Sequence, residues 1–345
     1  MIPFTEEQLR TLVNLGQVYD HWVQSTRERR KLPYGMQWKT ISGQDYLYEM
    51  RDRKGNGRSL GPRSSETEEQ LKQYQAKRSD FDERTAAALG RLQQNAKIAR
   101  ALRLPGLAQE AGKILVEFDI REMLGSNFMV AGTNAILAYN LEAGGTIIIG
   151  ADMATDDFDL LWSRNHSTSL MAKDASPSIL EALRAVDETY TVNEERPFQL
   201  RNRSAYEVEI LVPPSELDAL PKADRIRPAS MDEVEWLLLG TPVEQVVPSK
   251  GDSAARIVAP DPRMFALQKL WLAEKPSRDP LKKPKDRRQG DALLDACAKA
   301  DLPRHPLTKE FVKSLPAPLL PHYKRWASDR KFEFTVNPDP STPTS

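Results

Sequence analysis

The sequence predicts an α+β chain in which a small mixed sheet is flanked by helices on both sides in sequence. Three observations carry this reading. Residues 128–131, 155–161 and 206–213 are short apolar or alternating runs with strand spacing, and helix-compatible segments separate them. Two N-terminal segments, 5–31 and 65–102, combine helical apolar stripes with capping signatures. Helical patterns return after residue 260.

Taken in order, residues 5–31 read as a helix. Thr5 with Gln8 three residues on is a capping signature, and Leu9, Leu12, Val13, Val18 and Trp22 supply an apolar stripe. Pro33-Tyr34-Gly35 ends it. Residues 38–50 alternate like a strand, and Lys54-Gly55-Asn56-Gly57-Arg58 is a turn that folds a β-hairpin arm, closed by Ser59-Leu60-Gly61-Pro62. Ser65-Glu66-Thr67-Glu68 has the form of a capping box that opens a long helix to Leu102, with a break expected near Asp80. Leu104-Pro105-Gly106 stops it, and a helix over 107–124 follows. The central stretch, 128–161, breaks at Gly132-Thr133, continues helix-compatible over 134–139 and alternates again from Thr155. Ser176-Pro177 opens another helix, ahead of strand candidates at 198–201 and 206–213. Residues 217–227 read as a surface loop and 231–239 as a strand or a short helix. Residues 260–273, 290–299 and 316–326 read as helices, and the tail from Asn337, with three prolines, as disordered. The division expected is an N-terminal helical region with its arm (1–106), a core (107–215), a mainly helical C-terminal domain (216–336) and the tail (337–345).

The composition excludes several classes. The chain of 345 residues has room for two or three domains, and its acidic and basic residues balance at 49 each, so no global field draws it to nucleic acid or anionic membrane. A single cysteine, Cys297, rules out an intramolecular disulfide and cysteine-based zinc sites; it reads as a core residue. The polar N-terminus is unlike a secretory signal, and no apolar run reaches the roughly 20 residues of a membrane helix. A cytoplasmic protein without membrane contact is expected.

The chemistry concentrates in the central stretch. In a strand, Asp157 and Asp159 point to one face while Phe158 packs on the other. Two neighbouring carboxylates repel unless a cation lies between them, which makes them candidate metal ligands; the alternative is a solvated strand end. Glu209, on a later strand, can complete a carboxylate trio. Gly132 lets the backbone approach a ligand, and the N–H groups after it favour phosphate. Lys269, on an amphipathic helix beside Phe265 and Leu270, is either a phosphate ligand or a snorkelling surface lysine. The run Lys282, Lys283, Lys285, Arg287, Arg288 is an RNA-binding stretch or a solvated loop. The arm interleaves Arg51, Arg53, Lys54, Arg58 and Arg63 with Trp38, Tyr46 and Tyr48, which suits either an RNA grip or packing on the next helix. His21, His166, His305 and His322 have no ligand spacing.

Gly132-Thr133 ahead of a helix, then Thr155-x-Asp157-Phe158-Asp159, then Val208-Glu209-Ile210 resembles the nucleotidyltransferase fold shared with DNA polymerase beta. Trp38-Lys39-Thr40, Ser59-Leu60-Gly61-Pro62-Arg63, Pro262-Arg263-Met264-Phe265-Ala266-Leu267-Gln268-Lys269-Leu270 and Lys285-Asp286 are similar to a bacterial subgroup related to abortive-infection and MenT-type toxins. The resemblance covers roughly residues 30–300. It implies that Gly132 and Thr133 contact the triphosphate, and that Asp157, Asp159 and Glu209 bind Mg2+ (or Mn2+). It further implies that Lys269 reaches phosphate and that Asp286 is a late acidic catalytic residue; Lys269 and Asp286 are then expected to face the same cleft as the Asp pair. The expected reaction moves a nucleoside monophosphate from an NTP such as ATP to a hydroxyl of RNA, tRNA or protein, in a toxin–antitoxin or defence setting. A nucleotide- or RNA-binding regulatory protein of the same fold, without turnover, is the alternative. Dimerisation through the N-terminal helices is a further expectation. This chain departs from the usual motif in having Gly-Thr rather than Gly-Ser or Gly-Gly, a longer gap before the carboxylates, and Glu at the third position.

Overall fold

The computed structural model describes residues 1–147, 157–163, 178–219 and 226–334. Thr155, His166, Ser176-Pro177 and the tail from Asn337 lie outside these, as does the side chain of Asp157. Helices with several small sheets make an α+β fold, as the sequence predicts.

A short strand β1 (Ile2–Pro3) precedes helix α1 (Glu6–Lys31). Thr5 caps α1 reciprocally, its hydroxyl accepting from the Gln8 amide while the Gln8 side chain accepts from the Thr5 N–H. The arm has three antiparallel strands rather than two: β2 (Gly35–Ile41), β3 (Gln44–Met50) and β4 (Gly57–Pro62). The extra corner is Ser42-Gly43, with φ of 52° and 81°, a two-residue hairpin turn that the alternating pattern of 38–50 concealed. Helix α2 (Ser65–Ala101) runs 37 residues without the break expected near Asp80. Tyr74, Ala88, Leu92, Ala96 and Ala99 keep a buried stripe along it, facing α1, so nothing interrupts the ladder. Its N-cap is Ser64 rather than Ser65, closing its box with Thr67.

Helix α3 (Gln109–Ile120), shorter than the expected 107–124, leads to β5 (Phe128–Val130) and a single 3-10 turn (Thr133–Ala135). Then come α4 (Ile136–Glu142), β6 (Gly145–Thr146), which pairs with β1, and β7 (Asp157–Trp162). Helix α5 (Ile179–Val186) precedes β8 (Thr191–Val192), β9 (Gln199–Arg201) and β10 (Glu207–Val212). The main sheet has the order β5-β7-β10-β9-β8, with β11 (Ala229–Ser230) also on β10. β7 and β10 run parallel with Asp159 opposite Glu209, and β5 is antiparallel to β7 with Val130 opposite Leu160. Phe158, Leu160, Val208, Ile210 and Val212 are buried, so Asp159 and Glu209, out of phase by one residue, share the other face.

Residues 231–239 resolve as a 3-10 helix (Asp232–Leu238). The hairpin of β12 (Val243–Ser249) and β13 (Ser253–Ala259) has no counterpart among the strands expected from the sequence, because Pro248 and the small residues of β13 mask its alternation. It packs against α1, α2, α3 and α4. Helix α6 (Pro262–Glu274) is followed by α7 (Lys283–Ala298), which starts well before the expected Gly290, and by α8 (Lys309–Lys313) and α9 (Leu320–Arg330). One buried cluster extends from Leu107 to Trp326 and a smaller one lies where α1 and α2 meet Ala254. Cys297 is buried, and burial pushes its thiol up to about 12, so it packs as an apolar group. No described helix is long and apolar enough to cross a membrane.

The two clusters are joined through a polar knot. The buried Asp119 of α3 accepts from Tyr19 Oη (2.8 Å), Arg27 Nη2 (2.8 Å) and Arg256 Nε (3.0 Å). Burial, and then the Asp119 charge, push the Tyr19 hydroxyl well above its usual range, so it stays a donor. Glu117, two residues earlier, takes Arg30 in a fork of 3.1 and 2.8 Å. These contacts latch the end of α1 onto the end of α3. The chain turns from there into β5, the Phe128 amide donating to the Met123 carbonyl and Phe128 pairing with Trp162 of β7. Asp119→Ala is expected to destabilise the protein by about 3 kcal/mol, the low end for removing one partner of a buried pair, since Arg27 and Arg256 keep some solvent. Urea denaturation measures it; a loss below about 1 kcal/mol would mean that the knot contributes no more than exposed pairs do.

Candidate active site

A cavity of about 530 Å³ opens where the carboxylate face of the sheet meets α6, α7 and the 3-10 helix 232–238. Gly132, Thr133, Asp159 and Glu209 line it from the sheet, and Lys269 and Asp286 from the helices. The candidate triphosphate- and metal-binding residues therefore border one cleft, apart from Asp157, whose side chain lies outside the described residues. Asp157 sits on the same strand at the start of β7, with its Cα opposite Glu207.

Gly132 is required at its place. Its backbone has φ 60° and ψ −157°, a region essentially restricted to glycine, and a Cβ there would meet Asp159 Oδ2 at 1.9 Å. The Ala131 amide donates to the Asp159 carbonyl (2.9 Å), so one ladder bond sets both the turn and the carboxylate. Thr133 is buried yet lines the cavity, and its hydroxyl has no hydrogen-bond partner among the described residues. Glu209 is held from its other side by Gln199, whose Nε2 donates to Glu209 Oε1 at 2.6 Å while its own Oε1 accepts from Asn193 Nδ2 at 3.3 Å. Gln199 was not singled out from the sequence; its trace there is a polar residue inside an otherwise strand-like run at 198–201, where it pairs across from Glu209.

The helical wall is organised by Asp286. Its buried carboxylate accepts from Lys269 Nζ (2.9 Å) and Arg278 Nε (2.7 Å), so both oxygens are engaged by cations. Asp286, which the resemblance implied as a late acidic catalytic residue, thus holds two cations at the cleft. Lys269 is buried, which removes the reading of a snorkelling surface lysine. Gly290, one turn after Asp286, makes the approach possible, because a Cβ there would meet the Ala266 carbonyl and Leu270 Cγ, both at 2.7 Å. Beyond these, Lys275 Nζ meets Glu233 Oε1 at 2.5 Å, and the Trp236 and Trp271 rings stack edge-on at 5.2 Å, fixing the 3-10 helix to α6. Arg278 and Lys275 were not singled out from the sequence, since loop and helix-end cations carry no distinctive spacing. Lys282 and Lys285 of the basic run line the cavity, whereas Arg287 turns to Glu274. His21, His305 and His322 do not line it.

Among the described residues, no three His, Cys, Asp or Glu side chains gather closely enough to hold a metal ion. The trio Asp157, Asp159 and Glu209 includes one side chain outside those residues. The two described members offer oxygen donors on adjacent strands, and Gly132 leaves the Asp159 carboxylate room no side chain would. That donor set fits a hard cation of the Mg2+ or Mn2+ kind. In the arm, Arg63 lies over the Trp38 ring (5.2 Å) and Lys39 over Tyr48 (4.7 Å), while Arg58 forks onto Glu49 and Arg53 donates to Tyr34 Oη.

Gly132→Ala is expected to cost about 1–3 kcal/mol, from the φ strain and the clash with Asp159. In an Asp159→Ala background most of the clash disappears, so the double-mutant cycle should show a coupling of about 1 kcal/mol or more. Additive losses in denaturant titrations would mean that the two residues do not touch.

A family model described as nucleotidyltransferase matches residues 109–313, more than half of the chain. The match begins with the first residue of α3 and ends with the last of α8, so it takes in the whole cleft and leaves out α1, the arm, α2 and α9. No curated protein and no solved structure matches the chain.

Proposed function

The chain belongs to this nucleotidyltransferase family, and from that premise we propose that it transfers a nucleoside monophosphate from a nucleoside triphosphate to an acceptor hydroxyl, releasing pyrophosphate. The observation that carries this reading is the two-sided cleft, with carboxylates on the sheet facing cations on the helices. A polyphosphate held between them has charge compensation on both flanks. The acceptor oxygen forms a bond to the α-phosphorus as the bridge to the β-phosphate breaks, and the hydroxyl proton leaves to solvent or to a carboxylate. Such an in-line displacement needs positioning and charge neutralisation rather than a protein nucleophile.

Each residue has a part. Lys269 and Arg278, presented by Asp286, hold the phosphates; the Gly132-Thr133 turn gives the chain a close approach to them, and the Thr133 hydroxyl donates there. Gln199 fixes one oxygen of the Glu209 carboxylate and leaves the other for a ligand. Asp157, Asp159 and Glu209 would hold Mg2+ or Mn2+, which when bound supplies further neutralisation of the phosphates and acidifies the attacking hydroxyl. The acceptor proposed is RNA or tRNA, with the arm's aromatic and basic residues as its second contact. The similarity of motif to abortive-infection and MenT-type proteins extends the proposal to a toxin or defence role in a bacterial cytoplasm.

Asp159→Asn keeps the size and removes the charge. It is expected to abolish labelled-nucleotide transfer (more than about 100-fold) while leaving the fold intact, and to remove the rise in melting temperature on adding Mg2+. Retention of both by the variant would place the reaction elsewhere.

A further inference from the structure

Among the polar groups of the cleft that the roles above do not employ, Gln268 stands apart. Gln268 of α6 is only 6 % exposed and lines the cavity, yet its carboxamide has no hydrogen-bond partner among the described residues. Its charged neighbours are engaged: Lys269 and Arg278 by Asp286, Lys275 by Glu233, and Glu209 by Gln199. The carboxamide lines the cavity with its hydrogen-bonding capacity uncommitted to the protein, so a ligand edge entering the cleft can pair with it.

Its surroundings say which edge. Gln268, Leu272 and Lys275 follow at i, i+4 and i+7, one face of α6 and its C-terminal cap. Across from them the 3-10 helix and the residue before it contribute Met231, Val234 and Leu237 to the same cavity. This half of the cleft therefore has Met231, Val234, Leu237 and Leu272 as apolar walls, with the Gln268 amide and the mutually neutralised Lys275–Glu233 pair among them, while the half around Lys269 and Asp159 is charged. Adjacent positions on a helix point about 100° apart, so Gln268 and Lys269 divide a bound molecule between the two halves. A molecule with a polyanionic end and a flat body, apolar on its faces and polar at its edge, matches both. That is a nucleoside triphosphate lying with its base on the Leu272–Leu237 side.

We propose that this apolar half is the nucleobase subsite and that the Gln268 carboxamide reads the edge of the base, giving the protein its choice among nucleotides. The inference rests on the nucleotidyl-transfer reading for its ligand class but concerns a different part of the cleft. A carboxamide sets a donor beside an acceptor, the pattern that pairs with a base edge through two hydrogen bonds.

Thermal-shift titrations with Mg2+ and ATP, GTP, CTP, UTP or inorganic tripolyphosphate, on the wild type and on Gln268→Leu and Gln268→Glu, test it. In the wild type, at least one nucleotide should bind more tightly than tripolyphosphate and the four should differ. Gln268→Leu should weaken the preferred nucleotide about tenfold and compress the four toward one value, with tripolyphosphate affinity unchanged. Gln268→Glu, an acceptor only, should reorder the four, with UTP losing most because its base edge offers two carbonyl oxygens and a single N–H. Both variants are near-isosteric; if one fails to fold by its melting curve without ligand, the other tests the same point. Wild-type ranking and affinities retained in the folded variants would overturn the subsite. Tripolyphosphate binding without any gain from a base would also overturn it while leaving the phosphate site standing. If neither tripolyphosphate nor any nucleotide binds the wild type, the nucleotidyl-transfer reading falls and this inference with it.

Discussion

The contact between Gly132 and Asp159 constrains the rest of the site. A backbone passes so close to a carboxylate that a single added methyl would meet its oxygen at 1.9 Å. Holding that approach needs β7 in the interior of the sheet, with β5 on one side to set the turn and β10 on the other to bring Glu209 into register. The buried face of the same strands, with Phe158, Leu160, Val208 and Ile210, supplies the apolar burial that offsets gathering like charges on the opposite face. Packing and chemistry are thus two faces of one pair of strands.

The opposite wall solves a different problem. Lys269 and Arg278 must stay charged and directed while largely withdrawn from water, and an unpaired buried cation is costly. Asp286 neutralises part of that charge and fixes both geometries, leaving a net positive charge toward the cavity. The close packing of α6 and α7 at Gly290 brings Asp286 within reach. Since these cations come from chain more than a hundred residues after Gly132, cleft geometry depends on the helices staying docked against the sheet. The Trp236–Trp271 contact serves that docking, since the 3-10 helix it ties to α6 also packs on β10.

The N-terminal third is attached by polar rather than apolar means at its critical point. Asp119 collects a tyrosine and two arginines from α1 and β13, and Glu117 adds a third arginine. Directional hydrogen bonds of this kind set the angle at which α1 leaves the core, and so the direction of the arm, in a way that an apolar seam alone would not. Within the arm, cation–π and carboxylate pairs already engage Arg63, Lys39 and Arg58, so any ligand there competes with existing contacts.

Much of this was legible in the sequence where the period of a single element decides the outcome. The alternation around Phe158 put Asp159 on a solvent-side face, the reciprocal cap of α1 stood in Thr5 and Gln8, and Gly132, Glu209, Lys269 and Asp286 could be singled out one at a time from local pattern and family resemblance. Hairpins whose alternation is masked by proline and small residues were not legible, as at β12–β13, nor was the continuity of α2, which depends on its partner helix. What only the tertiary structure decided was who meets whom. The i, i+2 spacing cannot say that Asp159 faces Glu209 rather than Glu207, because strand register depends on long-range pairing. Nor can helical spacing reveal that Asp286 serves two cations, that Gln199 steadies Glu209, or that Gln268 has no partner among the described residues at the cleft. Those properties belong to the space between elements, and side-chain pairing across it is set by packing that no local stretch encodes.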